Sequence, residues 1–255
     1  KDWRALDAVK KDWRALKDLS EQQKNNPTIV KLAVAQNGQA LKHASDELKG
    51  DRTIVLAAVS QRGHAWRALS YASPELKEDR EVVTAAVQHN GSALQFAAPV
   101  LKGDRGVVLE AVAQNGSTLK HASGQLRSDR GVVLEALAQS SSALEYASEQ
   151  LRGDRDLVLG AVKENSSLLK FASEQLQGDR EFMLEVVEYL IRRTPDDGSG
   201  YVGYVGTVKG MLAACKFLSL DKKGNKLDLA ARLEEWHERE AAPKRKKQKT
   251  EGGGK

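Results

Sequence analysis

An Asp-Arg pair returns along this chain at Asp51-Arg52, Asp79-Arg80, Asp104-Arg105, Asp129-Arg130, Asp154-Arg155 and Asp179-Arg180. The steps are 28, 25, 25, 25 and 25 residues, and Asn26-Pro27 lies another 25 residues upstream of Asp51. A fixed period of this length marks an array in which one small unit, unable to bury its apolar face alone, is copied and stacked on its neighbours.

The unit that begins at Asp104 reads DRGVVLEAVAQNGSTLKHASGQLRS. Val107, Val108, Ala111 and Val112 fall on one stripe of a 3.6-residue helix. Asp104 is placed to cap its N-terminus. Asn115-Gly116 is expected to end it, since both tolerate the left-handed conformation of a C-terminal cap. Ser117 then caps a second helix, with Leu119, Ala122 and Leu126 on its inner stripe. Helices of about ten residues are too short to be stable singly in water, which is why the unit recurs.

The unit at Asp51 holds three extra residues around Trp66-Arg67-Ala68. A longer helix or bulged loop there reads either as a partner site through Trp66 or as drift. The first unit, Lys1 to Asn25, has Val9, Trp13 and Leu16 where later units have Val, Gly and Leu. It lacks the Asp-Arg opening and the final Leu, as a capping unit would. A last half-unit carries Phe182, Met183, Val186, Val187 and Leu190 before Thr194-Pro195 breaks it. The expected fold is all-α: an α-solenoid of about seven and a half two-helix repeats over residues 1–193.

These units resemble a helical repeat family catalogued as domain of unknown function four-one-one-six. The resemblance rests on the pattern DR-x-V-V-L-x-A-V-x-x-N-G…L-x-(Y/F/H)-A-S-x-x-L, most complete from Asp79 to Gln177. It implies an interaction scaffold and brings no activity with it.

The solenoid carries little that reads as chemistry. His43 and His121 occupy a slot filled elsewhere by Tyr71, Phe96, Tyr146 and Phe171, which marks half-buried packing rather than acid–base work. Asp-Arg pairs repeating at about 10 Å read as caps and mutual ion pairs. The alternative is a ladder of Arg52, Arg80, Arg105, Arg130, Arg155 and Arg180 that binds a polyanion. Cys215 is the only cysteine, which excludes a disulfide framework or a cysteine-rich zinc site and suits a reducing compartment. Neither a phosphate-binding glycine loop nor a metalloprotease or serine-hydrolase motif appears. No catalytic residue, metal, cofactor or small-molecule substrate is therefore expected. Asn90-Gly91-Ser92 and Asn115-Gly116-Ser117 match a glycosylation triplet in form, but helix stop-and-cap chemistry explains them. No apolar run approaches the roughly 18–20 residues of a membrane span, so a soluble chain with no membrane partner is expected. It opens on Lys1 rather than Met, as a fragment or processed chain would.

The 25-residue rhythm stops at a Pro/Asp/Gly/Ser linker over residues 194–206. A helical hairpin is expected over 207–240. Val208, Met211, Leu212, Cys215 and Leu218 share one stripe, and Leu229, Ala230, Leu233 and Trp236 another, with Asn225 as cap. Gly224, Lys226, Leu229, Ala230, Arg232 and Leu233 resemble, without a gap, the second half of the SAP motif. Its first half departs: Met211-Leu212 stands for the usual Leu-Lys, and Ser219-Leu220 for Gly-Leu. The resemblance implies a helix–loop–helix module of nuclear proteins that binds DNA. Charge agrees from Thr207 to Leu233, where Lys209, Lys216, Lys222, Lys223, Lys226 and Arg232 stand against Asp221 and Asp228. Gly224 and Asn225 open a helix N-terminus, where free N–H groups and a positive dipole end favour phosphate. The rival reading is a capping hairpin with a solvated lysine turn.

Residues 241–255 form a basic tail expected to be disordered. Six bases and one acid there supply the whole net charge of +5, and the remaining residues balance 34 bases against 34 acids. Lys244, Arg245, Lys246, Lys247 and Lys249 after Pro243 resemble a monopartite nuclear localisation signal, or else form a tail that binds polyanions. The expected function is a non-enzymatic adaptor in the nucleus (the cytoplasm is the alternative). Its solenoid would hold a protein partner, and its C-terminal region DNA or, second, RNA. The rivals are a scaffold subunit of a large protein or ribonucleoprotein assembly, with the hairpin only a cap, and the regulatory region of an enzyme whose catalytic domain lies elsewhere.

Overall fold

Residues 2–61 and 64–193 are described by a computed structural model of the chain. Every regular element among them is helical. The chain divides into two compact units, Lys1–Leu176 and Gln177–Lys255.

Seven repeats of one plan follow each other, and each has three helical pieces rather than two. In the fourth repeat these are an α-helix Arg80–His89, a 3₁₀ helix Gly91–Phe96 and a short α-helix Pro99–Lys102. The expected Asp caps are present. The Oδ1 of Asp104 accepts from the Val107 N–H at 3.0 Å, Asp129 from Val132 at 3.0 Å and Asp154 from Leu157 at 2.9 Å. Each such cap is worth about 1 kcal/mol.

The end of the long helix differs from the expectation. Asn37, Asn90, Asn115 and Asn165 are extended, with φ from −160° to −147°, and not left-handed. Their side chains accept from the N–H two residues on, at 2.9–3.0 Å. The Asn, not the following Ser, is thus the cap, and this local bond starts a 3₁₀ turn in place of a left-handed stop. The glycine after it serves close approach. A Cβ on Gly91 would lie 2.5 Å from the carbonyl oxygen of Ala111 in the next repeat, and one on Gly116 closer still to that of Ala136. Ser141 takes this position in the sixth repeat. There the long helices of the sixth and seventh repeats touch less than any earlier neighbouring pair.

The expected second helix is broken after its 3₁₀ part. Ala44, Ala97, Ala122 and Ala147 are extended. The serine that follows then caps a new short helix: Ser45 accepts from Leu48 N–H and Ser148 from Leu151 N–H. The break has a second cause. In that extended position the backbone N–H of Ser45, Ser73, Ala98, Ser123, Ser148 and Ser173 donates to the carbonyl of Lys24, Lys49, Lys77, Lys102, Arg127 and Arg152, at 2.8–3.1 Å. Every junction between successive repeats carries this main-chain bond. A continuous helix would have used that N–H internally.

Between the repeats the apolar stripes close a continuous core. Ile29, Val30, Ala33 and Val34, and their equivalents Val82, Val83, Ala86 and Val87, are fully buried. So is the leucine column Leu16, Leu41, Leu69, Leu94, Leu119 and Leu144. Burying one such leucine contributes about 1.5–3 kcal/mol. Some polar side chains also cross junctions. The Gln114 amide donates to the Val87 carbonyl at 2.6 Å and accepts from the Gly91 N–H at 2.9 Å, while Gln36 donates to the Val9 carbonyl at 2.7 Å.

The first repeat keeps the plan with altered parts. Asp12 caps the 3₁₀ helix Trp13–Asp18 in place of Asn, and Ser20 with Gln23 forms a reciprocal capping box. In the third repeat the long helix Arg52–Val59 is shortened and the 3₁₀ helix His64–Tyr71 lengthened by the same amount relative to the fourth, so the three extra residues are not taken up as added helix. In the second unit the helix Arg180–Arg193 buries Phe182, Met183, Val186 and Val187, as the half-unit predicts.

Candidate functional site

The nucleic-acid residues expected from the sequence, Lys209, Lys216, Lys222, Lys223, Gly224, Asn225, Lys226 and Arg232, lie outside the described residues. So do Lys244, Arg245, Lys246, Lys247 and Lys249 of the tail, and the boundaries at 194–206, 207–240 and 241–255. The described surface belongs to the repeats. Stacking lines up equivalent side chains there in columns.

The first column is the Asp-Arg set, and its members pair across junctions. The Nε of Arg52 meets Asp79 at 2.7 Å, Arg80 meets Asp104 at 2.9 Å, Arg105 meets Asp129 at 3.2 Å and Arg130 meets Asp154 at 3.3 Å. Arg52 also reaches Glu81. Gly106 and Gly131 lie beneath these crossing arms, since a Cβ there would meet the guanidinium of Arg80 or Arg105. The Arg52 and Arg80 guanidiniums hold the Asp79 and Asp104 carboxyls below the usual 3.8, with cap N–H groups adding to the effect. For Asp129 and Asp154 the cap N–H is the larger cause. The arginines are 44–63% exposed, so each pair is screened by solvent and adds little to stability. Four arginines of the alternative polyanion ladder are thereby each engaged with an acid.

The second column holds His43, Tyr71, Phe96, His121, Tyr146 and Phe171, each ending its 3₁₀ helix. All are half-buried except Tyr71, which reaches 36% exposure. Burial lowers the pKa of both histidines below 6.5, helped at His43 by Lys42, Lys24 and Lys17 and at His121 by Lys120 and Lys102. They are neutral packing groups at pH 7. Trp66 belongs with them: its ring stacks on Phe96 of the next repeat, 5.7 Å between centroids at 24°, with Arg67 over its face at 5.1 Å. That ring is used in packing between repeats.

The third column was not singled out from the sequence. Lys24, Lys49, Lys77, Lys102, Arg127 and Arg152 are the residues whose carbonyls receive the junction bonds. Their spacing, 25 residues apart except for one step of 28, carries the signal that would have found them. It is hidden in a net charge of zero because acids elsewhere balance it. Among the described residues no group of three or more His, Cys, Asp or Glu side chains is arranged to hold a metal ion, and no helix is long and apolar enough to cross a membrane.

One family model matches the chain, described as Domain of unknown function (DUF4116), over residues 5–49, 26–67, 51–102, 104–152 and 154–192. The chain belongs to this family. The DUF4116 matches that start at 51, 104 and 154 open on the capping aspartates, and those ending at 102 and 152 span two repeats each. No curated protein and no solved structure matches the chain.

Proposed function

We propose that this DUF4116 chain is a non-enzymatic nuclear adaptor. Its solenoid holds a protein partner, and the SAP-like hairpin with the basic tail binds DNA through phosphate contacts. The observation that carries the first half is the register of the stack. Junction bonds and cross-repeat ion pairs hold equivalent side chains in columns, which suits an extended macromolecular partner rather than a small ligand. The second half rests on the sequence: a SAP-like run from Gly224 to Leu233 among six bases, then five more from Lys244 to Lys249. Phosphate contacts of this kind give affinity without base reading.

The test is duplex DNA binding by the full chain against salt. Five tail contacts give a slope of log affinity on log salt of about −4 to −5. Changing Lys222, Lys223 and Lys226 together to Ala should weaken binding and flatten that slope further than tail deletion alone. Loss of binding on tail deletion alone, with no effect of the hairpin change, would leave the hairpin as a cap and favour the scaffold-subunit reading.

A further inference from the structure

The basic column that ends the short helices is not uniform. In the first, second and sixth repeats an acid three residues earlier takes the base in an ion pair: Glu21 with Lys24 and Asp46 with Lys49 at 2.9 Å, Glu149 with Arg152 at 3.2 Å. In the fourth and fifth repeats that acid is replaced by Pro99 and Gly124, followed by Val100 and Gln125. No carboxylate remains in either segment. Lys102 and Arg127 make no ion pair among the described residues, and neither does Lys120.

These three bases share one edge. The carbonyls of Lys102 and Arg127 receive the junction bonds from Ser123 and Ser148 at 2.8 and 2.9 Å, so the two hold equivalent places in adjacent repeats, about 10 Å apart. Lys102 and Lys120 both act on the half-buried His121 ring. The patch is bounded: Glu75 and Glu78 flank Lys77 on one side, and Glu145 and Glu149 stand on the other. Val100, on the same short helix as Lys102, is 65% exposed, an apolar side chain set among cations.

We propose that Lys102, Lys120 and Arg127, with Val100, form a docking site for a short acidic peptide segment that carries an apolar side chain. Two features favour a peptide over a nucleic acid. The flanking glutamates would repel a long phosphate backbone that ran past two repeats. Phe96, the ring nearest in sequence to Val100, already stacks on Trp66, which leaves that face unavailable to a base. The site deepens the protein-binding half of the proposed function and rests on that reading.

The test uses the full chain with Lys244, Arg245, Lys246, Lys247 and Lys249 changed to Gln, so that the tail does not capture the probe. A short fluorescein-labelled peptide of Asp, Glu and Leu is titrated by anisotropy. Adding Lys102→Gln, Lys120→Gln and Arg127→Gln together should weaken binding about tenfold, from three solvent-screened charge contacts, with the thermal melt unchanged. Lys49→Gln, which removes a base already paired, should leave affinity within about twofold. Saturating peptide should raise the His121 pKa seen by NMR. The site is overturned if the peptide fails to bind, or if the triple change costs no affinity. It is equally overturned if a single-stranded oligonucleotide displaces the peptide and depends on the same three bases, which would make it a phosphate site. Capture of a protein partner that survives the triple change would refute this location and leave the adaptor reading standing.

Discussion

Gly91→Ala puts the stacking of the repeats to a direct trial. The added Cβ would lie 2.5 Å from the Ala111 carbonyl oxygen, 3.1 Å from its Cα and 3.2 Å from its carbonyl carbon, where ordinary contact begins at 3.4 Å. All three atoms are backbone of the next repeat's long helix, so no side chain can swing away. The fourth and fifth repeats must part by about 1 Å, or the 3₁₀ helix must shift. Overpacking of this kind costs about 1–3 kcal/mol. The Gly91 N–H bond to Gln114, 2.9 Å long, is stretched by the same movement. Restricting the unfolded chain returns about 0.4–1 kcal/mol, leaving a net loss of about 1–2 kcal/mol. In a chain of this size that lowers the melting temperature by roughly 2–8 °C. The assay is a circular-dichroism melt of the full chain beside Gly124→Ala, where a Cβ meets nothing within 4 Å. Gly124→Ala should melt at or slightly above the parent. A Gly91→Ala melt equal to that of Gly124→Ala would refute the close approach and, with it, the reason glycine stands there.

Two further outcomes follow from the core and the caps. Leu94→Ala, at a fully buried site in the leucine column, should cost about 2–5 kcal/mol in urea unfolding, and a loss below about 1 kcal/mol would mean that the column is not the core. The carboxyls of Asp51, Asp79, Asp104, Asp129 and Asp154 all ionise below their ordinary 3.8. Their stabilisation is therefore complete above the unfolded value and lost as pH falls through the lowered ones. His43 and His121, lowered from 6.5, act in the same direction as pH falls from 6.5. Melting temperature should thus decline gently below pH 6.5 and steeply below about pH 4; a rise on acidification would contradict both assignments.

Much of the fold was legible because periodicity reports burial directly. The offsets of Val107, Val108, Ala111 and Val112 name a buried helix face, and the structure buries all four. Asp104 announces its cap for the same reason. The break after His121 was hidden: Leu119, Ala122 and Leu126 fit one helical stripe equally well as a 3₁₀ turn, an extended corner and a second turn. What forces the corner is a bond from Ser123 to Lys102 of another repeat, and no local pattern displays a long-range main-chain bond. Asn115 misled for a related reason, since an Asn before Gly serves a left-handed stop and an extended side-chain cap alike. The basic column escaped notice because a sum over the body reads zero, whereas a partner meets charges where they stand. The candidate DNA-binding residues from Lys209 onward lie outside the described residues and are read from their order along the chain.

The junction bonds have a further consequence. Donor and acceptor are both peptide groups, so alignment of one module with the next demands almost nothing of the amino acids that decorate the outside. A module could be gained or lost by recombination at any 25-residue boundary and would meet its new neighbour with the same two atoms in place. Outward-facing positions would meanwhile be free to diverge one module at a time. Such a chain can change its length and its exterior independently.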